Sequence, residues 1–118
     1  MRIQKFTSIL ILLGFTTIPQ LAQETVRRLT QEEAVKAALT KPQPEYPPVA
    51  RQLRIQGRIE VEMSIDSAGA VDNVKVISGN PALTGNAVNT LKHWRFEPIL
   101  SGGKAVRAVA VMGFSFRL

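Results

Sequence analysis

The residues able to do chemistry in this chain are few. Glu60 and Glu62 stand two apart, a spacing that puts both carboxylates on one face of a strand. Such a pair does acid–base work only where its surroundings drive the two pKa values apart, and on the wet face of a sheet it is ordinary solvation. His93 is the only histidine, and Ser67 and Ser78 have no histidine near them in sequence. A hydroxyl nucleophile needs a base within hydrogen-bond reach, so no triad is visible. Asp66, Asp72 and Glu97 fall at turns or element ends, where carboxylates commonly cap. Gly102-Gly103 lacks the lysine and helix pattern of a phosphate cradle and reads as a turn. There is no cysteine, which excludes a disulfide framework, a thiolate metal site and a lipid-modified N-terminal cysteine. No catalytic residue, metal site or cofactor is assigned, and the chain does not read as an enzyme.

The elements behind these residues are clearer. From Arg58 to Asp66 the alternation is strict, with Ile59, Val61, Met63 and Ile65 on one face and Glu60, Glu62, Ser64 and Asp66 on the other. That is a half-buried strand. Ser67-Ala68-Gly69 makes a tight turn, and Val71 to Ile77 returns antiparallel with a bulge expected near Asp72-Asn73. Asn80-Pro81 supplies an N-cap and first-turn pair, after which Leu83, Ala87, Leu91 and Trp94 recur at helical spacing. Upstream, Pro47 and Pro48 open a helix to about Arg54, with Val49, Leu53 and Ala50 expected to face inward, and Gly57 ends it. Gly102-Gly103 turns the chain into a last strand, Ala105 to Leu118.

The predicted fold is α+β: a small two-layer sandwich, α-β-β-α-β, with a three-stranded antiparallel or mixed sheet in order 2-1-3 packed on two helices. Its expected core includes Ile59, Val61, Met63, Ile65, Leu83, Leu91, Trp94, Phe96 and Phe116. In that order the last strand is an edge, and no charge lies between its Arg107 and Arg117. A long uncharged edge is a liability unless something is meant to pair with it, which points to strand addition.

The first 22 residues read as a signal peptide or short N-terminal anchor. Arg2 and Lys5 form a positive start, and the mainly apolar run from Phe6 to Ile18 is shorter than a membrane-spanning helix. Residues 23–41 read as a polar linker, in which Thr30 and Glu33 have capping-box spacing ahead of Ala34, Val35, Ala38 and Leu39, a short amphipathic helix. From Gln23 onward 13 Lys and Arg face 9 Asp and Glu, a scattered net charge of +4 without the basic stripe or stacking aromatics that nucleic acid requires.

Gln43-Pro44-Glu45-Tyr46-Pro47, Arg54-Ile55-Gln56-Gly57, the alternating strand, the Gly69 turn, Val74 to Ser78 and Trp94-Arg95-Phe96-Glu97-Pro98 occur in an ordered set. Over residues 42–118 this set resembles the C-terminal domain of the TonB family of energy transducers. The resemblance implies a periplasmic domain that binds the TonB box of outer-membrane TonB-dependent transporters by pairing with its last strand. It also implies a place in proton-motive-force-driven uptake of siderophore- or vitamin-type nutrients, with an ExbB–ExbD-type inner-membrane motor as second partner and homodimerisation through the edge. The partner-binding residues it nominates are Gln43, Pro44, Tyr46 and Pro47, with Val106, Arg107, Ala108, Val109, Ala110, Val111, Met112, Gly113 and Phe114. Only residues 19–45 separate the apolar run from this domain, and even extended they reach roughly 90 Å. The alternative is therefore a free periplasmic adaptor or competitor that binds similar peptides without a motor.

Overall fold

The computed structural model describes Gly14 and residues 25–118. Apart from Gly14, the signal-like stretch at residues 1–22 lies outside the described residues. The strict alternation becomes β3, Gly57–Ile65, whose Ile59, Val61, Met63 and Ile65 are completely buried. It turns into β4, Val71–Ser78, through a tip in which the Asp66 carboxylate accepts from the Ala68 and Ala70 amides at 2.9 Å each. The register slips by one residue at Asp72 and again at Ile77, so β4 carries two bulges, the first within the expected Asp72-Asn73 pair.

The last strand, β7, runs Lys104–Phe116 and pairs antiparallel with β3 from Gly57–Phe116 to Ile65–Ala108. The order β7-β3-β4 is the 2-1-3 arrangement of the sequence reading. α3, Pro81–Leu91, crosses over between β4 and β7. Asn80 caps it by accepting from the Ala82 amide at 2.9 Å, and its Leu83, Ala87 and Leu91 are buried. Beyond it, Trp94 and Phe96 seal the core with ring centroids 6.0 Å apart. Short strands β5, Arg95–Phe96, and β6, Ile99–Ser101, follow, and β6 turns back onto the start of β7 through Gly102 and Gly103. Both glycines have positive φ, as a two-residue hairpin turn of this hand requires.

Three expectations need correction. The lead-in is more than a linker with one helix. It forms β1, Val26–Leu29, then α1, Gln31–Ala37, then β2, Ala38–Thr40, which pairs with β5. The Thr30–Glu33 capping box is present, but Ala38 and Leu39 leave the helix, because β5 claims the backbone of Ala38 and the Lys41-Pro42 step forces the chain extended. Second, α2 is only Pro48–Gln52, and Val49 and Leu53 are exposed. So short a helix docks through a single residue. Ala50 is fully buried and clusters with Ile59, Leu83, Ala87 and Phe116. Third, β7 is not the sheet edge. The full order is β1-β7-β3-β4, with β1 parallel to β7.

The hairpin tip is fastened to the helix exit. The Phe96 amide donates to the Gly69 carbonyl at 2.8 Å, and Gly69 has φ 87°. A Cβ there would lie 2.1 Å from the Phe96 carbonyl oxygen. Gly69→Ala is therefore expected to destabilise the fold by roughly 2–4 kcal/mol in urea unfolding, through φ strain and a backbone clash. Gly85, in the exposed middle of α3 with open space around it, gives the opposite sign. Gly85→Ala is expected to stabilise by about 0.5–1 kcal/mol.

Candidate functional site

The candidate site is the outer edge of β7 together with the segment that leads into α2. That segment is held at three points. The Trp94 indole donates to the Pro42 carbonyl at 2.8 Å, the Asn86 side chain donates to the Glu45 carbonyl at 2.7 Å, and the Tyr46 hydroxyl donates to the Ile55 carbonyl. The Tyr46 ring stands edge-on to Phe116, centroids 5.5 Å apart, with the Arg51 guanidinium 5.3 Å above it. Thus the extended stretch from Gln43 to Tyr46 is presented rigidly beside the end of β7. Gln43, Pro44 and Tyr46 line a shallow cleft of about 260 Å³ with Phe114, Ser115, Phe116 and Arg117. Pro47 lies outside this cleft and forms the N-cap of α2.

Most of the rest of the nominated edge is covered. Val106 pairs with Ile99 of β6. Arg107, Ala108, Val109 and Ala110 pair in parallel register with Val26, Arg27, Arg28 and Leu29. At Gly113 a side chain continues what β1 begins. The Gln31 carboxamide donates to the Gly113 carbonyl and accepts from the Gly113 amide, both at 3.0 Å, imitating a strand's peptide group. Ala108, Ala110 and Met112 point into the core and are buried, whereas Val111 is exposed on the opposite face. The Arg58 guanidinium lies over Gly113, in the space a Cβ would take. Arg107 bonds to Asp72 on β4, spanning the end of β3.

The residues weighed for catalysis stay apart. Glu60 is half-buried and pairs with Arg58 at 3.7 Å, and His93 is exposed with its Nδ1 at 2.9 Å from the Asn89 carbonyl. Among the described residues no cluster of His, Cys, Asp or Glu could hold a metal ion. None of their helices is long and apolar enough to cross a membrane. Sequence reasoning missed Val26–Leu29 and Gln31 as edge residues, and Ser115 and Arg117 as cleft residues. A four-residue Val-Arg-Arg-Leu strand carries no periodicity, and nothing local marks a glutamine that will meet a strand edge.

Fold and edge together define a small two-layer α+β domain whose long last strand receives pairing on both sides. The chain belongs to the TonB C-terminal family, whose model, described as Gram-negative bacterial TonB protein C-terminal, matches residues 42–118. It is 42% identical over 62 residues to Protein TonB of Salmonella typhimurium, covering 51% of this chain and 26% of that relative. The similarity to Protein TonB of Pseudomonas aeruginosa is 35% over 77 residues, covering 64% and 22%. The matched part thus spans about a quarter of each of these relatives. The solution NMR structure of the Pseudomonas aeruginosa TonB CTD superposes with a TM-score of 0.59 at 34% identity, covering 69% of this chain and 84% of that one. Membership of this family brings no enzymatic activity with it.

Tyr46→Phe isolates the hydroxyl that fixes the cleft wall, because ring packing on Phe116 is kept. It is expected to lower unfolding free energy by about 1 kcal/mol. The amide resonances of Ile55 and Gln43 should move, while those of the distant Gly69 turn stay in place.

Proposed function

We propose that residues 42–118 bind an extended segment of an outer-membrane transporter, of the TonB-box type, by adding it as a strand to the outer edge of β7. The setting is the periplasm, and the role is docking in energy-coupled nutrient uptake. The observation that carries this reading is the cleft that gathers Gln43, Pro44 and Tyr46 with Phe114 to Arg117. Those residues lie far apart in sequence, and the family resemblance nominates members of both groups. Strand addition supplies affinity through main-chain hydrogen bonds and specificity through side-chain pockets at alternate positions. A proline-bearing wall, Pro44-Glu45-Tyr46, beside the end of a strand suits an extended ligand passing between them.

The peptide groups available to that ligand follow from alternation along β7. The Gly113 amide and carbonyl point outward to Gln31, so those of Ser115, two residues on, also point outward. Among the described residues no strand pairs with β7 on its outer side there. Ser115→Pro removes one outward donor without removing a bond to β3. With a synthetic TonB-box peptide in calorimetric titration, the substitution is expected to weaken binding about tenfold, the worth of one well-made hydrogen bond and its neighbours. Unchanged affinity in a variant with an intact unfolding transition would reject pairing at this end of the strand.

A further inference from the structure

Strand addition needs the outer edge of β7, and from Arg107 to Gly113 the chain itself sits on it. Val26–Leu29 hold Arg107–Ala110 in unbroken parallel register. Leu29 is only 9% exposed and joins the core cluster that contains Ala108, Ala110 and Met112. Gln31 then closes both bonds on Gly113. The segment is bound in the way an edge ligand is bound: by a backbone ladder, one apolar anchor and one polar end group.

We infer that Val26–Gln31 is a tethered competitor for the docking edge, and that a partner strand engages β7 along Arg107–Gly113 only by displacing it. This rests on the docking reading above. The asymmetry of the two sides of β7 singles out the piece that leaves. β3 holds β7 over nine register pairs, Gly57–Phe116 to Ile65–Ala108, whereas β1 holds it over four. Val26, Arg27 and Arg28 are exposed, so Leu29 is the one β1 side chain anchored in the core. Exchange also leaves no orphaned peptide group, because the incoming strand takes up the bonds that β1 gives back. The apparent affinity for a partner is then the intrinsic one reduced by the fraction of chains with β1 released.

Two changes to the full chain test this, with a synthetic TonB-box peptide as titrant. Leu29→Ser with Gln31→Ala removes the anchor and the Gly113 clamp without altering β7, and is expected to bind about tenfold tighter than the parent. Arg28→Cys with Val109→Cys adds a lock, because these residues are register partners on adjacent strands about 4.8 Å apart, and the chain has no cysteine to compete. The oxidised lock is expected to bind at least about tenfold more weakly than its reduced form. Equal affinity of parent and opened variant, or of oxidised and reduced lock, overturns the competitor role while docking itself stands. Binding by the opened variant alone supports it, whereas binding by none of these proteins overturns the docking reading and this inference with it. If the double substitution unfolds the chain, Gln31→Ala alone is expected to give a smaller gain in the same direction.

Discussion

A strand of thirteen residues has two rows of peptide groups to satisfy, and in this molecule the whole sheet is organised around that demand. On one side β7 is served by β3 along nearly its full length. On the other it is served piecemeal, by β1 and by the carboxamide of Gln31. The helices follow from this frame. α3 closes the crossover that sets β7 beside β3, and α1 is placed by its capping box so that Ala34 is buried against the same core. The short α2 and the Tyr46 ring then close the far end through Ala50 and Phe116.

How far this could be read from the chain depends on the length scale of each signal. β3 was legible because four buried and four wet residues alternate without error, and β4 because the turn and the bulge at Asp72 disturb that pattern only locally. α3 announced itself through Asn80-Pro81 and a stripe three turns long. β1 was not legible: it has one buried residue, and its partner lies at the other end of the chain. The orientation of α2 failed for a related reason. A stripe rule presumes enough turns to make a stripe, and a five-residue helix is oriented by whichever residue is small enough to approach.

The candidate site divides along the same line. Gln43, Pro44 and Tyr46 could be nominated because they belong to a recognisable local string, and the hydrogen bonds to Pro42, Glu45 and Ile55 explain why that string is rigid. The state of the β7 edge could not be nominated, since occupancy by β1 is a competition between distant segments. Whether an uncharged strand lies open or covered is decided by what else in the chain can reach it.

The two bulges of β4 have a consequence for assembly. Asp72 and Ile77 each interrupt the ladder, so the regular run on the far side of the sheet is cut down to Asn73–Val76, with Val76 and Ile77 exposed there. A sheet with one flank blunted in this way is poorly suited to open-ended growth by repeated strand pairing. The bulges thereby blunt one flank of a sheet whose longest strand carries an uncharged run from Ala108 to Phe116.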